Sequence, residues 1–244
     1  MFRKLIFILL MLASIFSVGQ SSYTPAIYRA FVDGDMTAWK RIIIEMNQNR
    51  QHFDQPDLWY EMGLLKYGYI AWCIDQEKKE EASEMIEEVE DDIEQMLDMN
   101  PEWSSVYALW GAIYAFRIQL KPAKAIYLGP RSMKRIEKCL EIDPDDPHGW
   151  LEMANSEFYR PAVFGGDKQK AIESYKKSIA FFEADKALVE ENWHYLNVLI
   201  SLAKAYEEID DRAEAGALYE KILDIEPDFI WVRDDLYPAL LKTE

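Results

Sequence analysis

Between Leu199 and Pro227 the small and apolar residues fall in a pattern that leaves few folds open. Leu199, Leu202, Ala203 and Tyr206 are spaced as one face of a helix, and Ala215, Tyr219 and Ile222 as one face of a second. Twelve positions separate Ala203 from Ala215, and twenty-four separate Ala203 from Pro227. Two antiparallel helices approach closely only where small side chains face each other, and Ala203 opposite Ala215 supplies such a contact. The larger residues fill the space above and below it, and Pro227 closes the unit.

Similar spacing recurs upstream. Tyr107, Trp110, Gly111 and Tyr114 are followed by Ser132, Ile136, Cys139 and Pro144; Trp150, Met153 and Ala154 are followed by Ala171, Tyr175 and Ser178. Nearer the start, Ala26 to Val32 and Met36 to Gln48 read as helices around Asp33-Gly34-Asp35, with Gly34 making the turn and Asp35 the N-cap. Trp59, Met62, Gly63 and a late Tyr67 precede a helix from about Lys78 to Met99. Its apolar face is Ala82, Met85, Ile86, Val89, Ile93, Met96 and Leu97, and the acids from Glu80 through Glu94 read as its solvated face.

This series resembles the tetratricopeptide repeat (TPR) family, whose pattern runs W-x-x-L-G-x-x-Y, then A-x-x-x-F, then P. The resemblance implies an all-α fold, a TPR-like α-solenoid of antiparallel helix pairs over residues 20–244. Pairs are clear at 104–144, 147–183 and 197–227 and degenerate at 26–50 and 57–101, and a helix from Phe229 to Leu241 caps the end. Long loops are expected inside the middle pairs. One spans Lys121 to Pro130 with the turn signal Leu128-Gly129-Pro130. The other is Arg160 to Gly166, where Gly165-Gly166 turns the chain and Asp167 caps the helix starting at Lys168.

Residues 1–19 have the form of a secretory leader: Arg3 and Lys4, an apolar run from Leu5 to Val18, and the small-residue site Ser17-Val18-Gly19. The run is shorter than the roughly 20 residues that span a bilayer, so cleavage and export to the periplasm or an extracellular space are expected. No Cys follows the leader, which argues against a lipid anchor. The two cysteines, Cys73 and Cys139, lie in apolar helical settings and read as free buried thiols, with a disulfide as the alternative. Net charge is −17, and more negative once Arg3 and Lys4 leave with the leader. That balance speaks against nucleic acid and anionic membranes as partners and for basic or neutral ones.

Signatures of enzymes are missing: no Gly-rich phosphate loop, His-Glu-x-x-His, Cys-x-x-Cys or Gly-x-Ser-x-Gly occurs, and the three histidines share no metal-ligand spacing. No catalytic residue, metal or cofactor is assigned. The TPR resemblance places partner contacts on the first helix of each pair, which lines a concave face; with the leader and the missing enzyme motifs, the expectation is an exported, non-enzymatic binder of a protein or peptide. The candidates there are His148, Asn155, Phe158, Tyr159, Asn197 and Lys204. The loop residues Arg160, Phe164, Gly165, Gly166 and Asp167 form a second group. Around Asp167 to Phe181 the chain also resembles the T-component proteins of TRAP transporters. That likeness implies the alternative, a small-ligand binding component beside an envelope transporter, with the loops at 128–130 and 164–166 framing a pocket. The missing lipidation Cys departs from that family.

Overall fold

The computed structural model describes residues 23–53 and 55–242; the leader-like residues 1–19 lie outside them. Eleven α-helices and no strand occur among the described residues. They are α1 (Thr24–Val32), α2 (Met36–Asn49), α3 (Pro56–Asp75), α4 (Lys79–Met99), α5 (Ser104–Leu120), α6 (Ala125–Ile142), α7 (Pro147–Tyr159), α8 (Lys168–Ala184), α9 (Trp193–Glu207), α10 (Arg212–Ile225) and α11 (Tyr237–Lys242), the last preceded by a π-helical turn, Trp231–Leu236. Consecutive helices pack as antiparallel pairs, and each pair packs on the next, as a TPR-like solenoid requires.

Local chemistry sets many of the boundaries. Asp35, Asp146, Asp167, Asn192 and Asp211 each cap a helix by accepting from free backbone N–H groups of its first turn. The carboxylate of Asp146 does more. It accepts from His148 N at 2.9 Å and Gly149 N at 3.2 Å, and also from the hydroxyls of Ser104 and Ser105 at 2.6 Å each. One buried cap therefore ties the start of α7 to the start of α5, one repeat away.

The expected loop from Lys121 to Pro130 is not there. Leu128, Gly129 and Pro130 lie inside α6, and the connection to α5 shrinks to Lys121–Lys124 with a 3-10 turn. Packing overrides the turn signal: Leu128 is buried, and Ser132 Oγ donates to the carbonyl of Gly111 on α5 at 2.7 Å. The added residues of this repeat therefore lengthen the helices.

A second correction falls on α4. Asp92, read as part of a solvated face, is buried beside Val89, Ile93 and Met96, its carboxylate 2.6 Å from Nζ of the equally buried Lys66 on α3. Glu88 approaches the same ammonium at 3.1 Å. Cys73 and Cys139 are buried and free.

Two apolar cores run through the solenoid. One joins α1 to α5; the other joins α7 to α10 and the C-terminal segment. Helix α1 belongs to both: Ile27 and Ala30 sit in the first and Val32 in the second, while Tyr28 and Phe31 touch each. Trp193, at the start of α9, crosses over to the first core, its ring 4.9 Å from that of Trp39 and edge-on. The beginning and end of the solenoid are thereby in contact.

Candidate functional site

The first helices of the pairs define the inner face: α3 packs on α5 and α5 on α7, and α9 meets α3 and α7 through the His194 ring. Its deep part is filled by rings. Trp193 closes against α3 at Gly68, where a Cβ would lie 2.9 Å from the Trp39 ring and 3.1 Å from that of Trp193. His194 meets Tyr67 at 5.6 Å between centroids and stacks on His148 at 5.0 Å; His148 in turn touches Tyr60 and Phe182. Neither ring nitrogen of His194, nor Nδ1 of His148, has a hydrogen-bond partner among the described residues. Burial holds both imidazoles below the usual histidine range, His194 more strongly, so each is neutral near pH 7.

A polar layer lies above this floor. Glu152 is buried, and desolvation pushes its carboxyl up to about 7 although Asn155 and Tyr67 hydrogen-bond to it. Asn155 Nδ2 donates to Glu152 at 3.2 Å, and the Tyr175 hydroxyl donates to Asn155 Oδ1 at 2.7 Å. The Tyr159 hydroxyl lies within electrostatic reach of Glu152 and Glu208.

Helix α9 is enclosed on nearly every side. From Trp193 to Tyr206 only Asn197, Ser201 and Lys204 escape full burial, at spacings of four and three, which is one helical stripe. Lys204 Nζ lies 4.5 Å from the centre of the Trp231 ring. Burial lowers its pKa, and Glu207 and Asp75 act against that shift. On α7, Asn155 and Tyr159 make a matching pair one turn apart.

The residues singled out from sequence therefore separate. Asn155, Asn197 and Lys204 are half-buried on the first helices α7 and α9, and Tyr159 is exposed at the C-terminal end of α7. His148 is turned into the aromatic floor, and Phe158 is buried beneath the Lys168 ammonium, 3.5 Å from its ring centre. In the α7–α8 connection, Gly165 adopts φ +91° and Asp167 caps α8. A Cβ at Gly166 would fall 1.7 Å from the Arg160 carbonyl oxygen, so only glycine fits there. Arg160 reaches back to the Gly165 carbonyl, and Phe164 projects outward. His194 and Glu152 were not picked out by the sequence reading. Their position beside buried neighbours on inner-face helices was the available signal.

Among the described residues no group of His, Cys, Asp and Glu is arranged to hold a metal.

The arrangement defines an all-α TPR-like solenoid with a polar stripe on its inner face. Residues 196–229 match the tetratricopeptide repeat family model. Among solved structures, the HusA haemophore from Porphyromonas gingivalis is 20% identical, with a TM-score of 0.61 over 77% of this chain and 94% of that one. A thermophilic TPR protein from Thermus thermophilus, TTC0263, is 14% identical, with a TM-score of 0.56 over 89% and 98%. These likenesses are of fold. No curated protein sequence matches the chain.

Proposed function

We propose that this protein is an exported, non-enzymatic binding scaffold that takes an extended peptide or protein segment along the inner face of α7 and α9. The observation that carries the reading is the stripe Asn197, Ser201 and Lys204, the one part of α9 not fully buried before its last residue, together with Asn155 and Tyr159 one turn apart on α7. Amide, hydroxyl and ammonium groups at one-turn spacing suit the main-chain groups of an extended partner, and Tyr159 and Trp231 offer flat apolar contacts beside them.

The titratable residues of the inner face support a binding role over a catalytic one, because His148 and His194 are enclosed by rings and Glu152 is buried and hydrogen-bonded to Asn155 and Tyr67. The small-ligand alternative loses its frame, since residues 128–130 are helical and the floor is occupied by Tyr67, Trp193 and the two histidines. HusA is described as a haemophore, but at 20% identity the likeness does not bring that ligand with it.

Export rests on the leader-like residues 1–19, with delivery to the periplasm or outside. No described helix is long and apolar enough to cross a membrane. N-terminal sequencing of the protein from expressing cells tests this. A mature start at Gln20 is expected, and an intact Met1 in all compartments would contradict export. For binding, peptides selected on the immobilised protein should compete with one another and lose affinity on Lys204→Glu; selection of none would contradict the reading.

A further inference from the structure

The chain is acidic overall, but its charge is unevenly placed. Between Glu102 and Glu137 there is no Asp or Glu and there are six Lys or Arg. This segment forms α5, the tight turn at Lys121–Lys124 and the first half of α6. Because the pairs are antiparallel and joined by short connections, that turn and the α7–α8 connection lie at the same end of the solenoid. The three most exposed large apolar side chains all project from these two neighbouring tips: Ile126 (86%), Val163 (86%) and Phe164 (72%), with Tyr127 beside them. Around them Lys121 and Arg131 are exposed and Lys124 is half-buried, while Lys170 is paired with Asp167 at 4.0 Å and Lys168 is drawn toward Glu208 at 3.6 Å.

We infer, against the expectation drawn from the overall charge, that these two tips form a peripheral docking edge for an anionic lipid surface, separate from the inner-face binding proposed above. Three features favour lipid over a folded partner. The apolar groups are strongly exposed and stand on separate tips, so they suit a soft interface. Aliphatic and aromatic tips ringed by lysines match an interface with acyl chains below and anionic headgroups above. Lys121, Lys124 and Arg131 stand at the α5–α6 tip within a stretch free of Asp and Glu, in a chain that is otherwise acidic, so this edge has the charge of a headgroup-binding surface where the rest of the molecule would be repelled. The adjoining tips carry Asp75 and Glu77 on one side and Glu208, Asp210 and Asp211 on the other. These confine contact to the middle two pairs and set an edge-on orientation.

The test uses the full chain carrying a nitroxide label at Ile126→Cys or Val163→Cys, with Ile44→Cys as the control; the native Cys73 and Cys139 are buried. Site-specific labels separate this edge from any contribution of residues 1–22. With vesicles of phosphatidylcholine containing phosphatidylglycerol, labels at 126 and 163 should gain oxygen accessibility and lose contact with aqueous relaxants, while the label at 44 stays in water. Lys121→Glu and Lys124→Glu should each weaken vesicle partition by about fivefold or more, and added salt should do the same. Labels at 126 and 163 that remain aqueous at every vesicle composition would overturn the inference, even if the protein floats with the vesicles. So would aqueous labels combined with loss of a protein partner on Phe164→Asp, which would make this edge a protein-docking surface.

Discussion

The rings of Phe31 and Phe229 lie 5.0 Å apart and tilted at 54°, so the first described helix touches the segment that follows α10. Phe31 also reaches Trp193 at 5.4 Å and Trp39 at 6.0 Å. An open solenoid has two free ends; this one joins them through a cluster of four rings. Phe229 is almost wholly buried, and Phe229→Ala should cost about 3–5 kcal/mol of stability. A double-mutant cycle with Phe31→Ala should show coupling of about 0.5–1.5 kcal/mol. Strict additivity in denaturant unfolding would mean that the ends do not hold each other.

The ion pair of Lys66 with Asp92 sits inside the first core. Removing Lys66 leaves the buried Asp92 carboxylate with only the longer, exposed contact to Arg50 at 3.8 Å, so Lys66→Met alone should cost about 3–5 kcal/mol. Replacing both, with Lys66→Met and Asp92→Leu, should recover most of that loss. Equal damage from the single and double variants would show that the pair itself, and not the stranded charge, supplies the stability.

Two glycines should respond in opposite directions. Gly129 is in a helix with nothing within 4 Å of an added Cβ, so Gly129→Ala should stabilise by about 0.5–1 kcal/mol. Gly166→Ala drives a methyl into the Arg160 carbonyl and should destabilise by about 1–3 kcal/mol. Melting temperatures of the two variants decide this, and a shift of the same sign in both would contradict the described α6 and the α7–α8 turn.

How much of this was legible beforehand divides along physical lines. The helix pairing was readable because a 3.6-residue period with small residues at fixed intervals is a property of local sequence. Asp35 and Asp167 were readable as caps because capping involves only the next three residues. Gly129-Pro130 misled because its turn preference is weaker than burial of Leu128 and the Ser132–Gly111 bond, which depend on a partner helix. Asp92 could have been placed correctly: it falls on the same helical face as Val89, Ile93 and Met96. The meeting of Phe31 with Phe229 was out of reach, since it sums small rotations across every repeat. The same holds for the stacking of His148 on His194.

The buried ionisable groups give stability a pH signature. The folded-state values of His194 and His148 are depressed, so the unfolded chain binds more protons, and stability is lost as pH falls below about 6.5. Each histidine contributes a slope of up to about 1.4 kcal/mol per pH unit. Glu152 acts in the opposite sense. Its carboxyl is raised from 4.5 to about 7, so its contribution is complete below 4.5 and is lost as pH rises through 7. Single variants separate the two. His194→Gln should flatten the acid limb of a denaturation-midpoint series, and Glu152→Gln should stabilise by about 1–3 kcal/mol near pH 8 with little effect near pH 4. Unchanged profiles in both variants would place these side chains in water.

The central claim is that the inner face of α7 and α9 receives the partner. Its most direct measurement is a titration of isotopically labelled protein with a peptide selected on it, read by amide and side-chain chemical shifts. The account predicts that the largest changes cluster at Asn155, Tyr159, Asn197, Ser201 and Lys204, and that Asn197→Arg with Lys204→Glu weakens binding about tenfold or more. Shifts confined to the outer face of α4 or to the tips at Ile126 and Val163, with affinity untouched by the double variant, would contradict it.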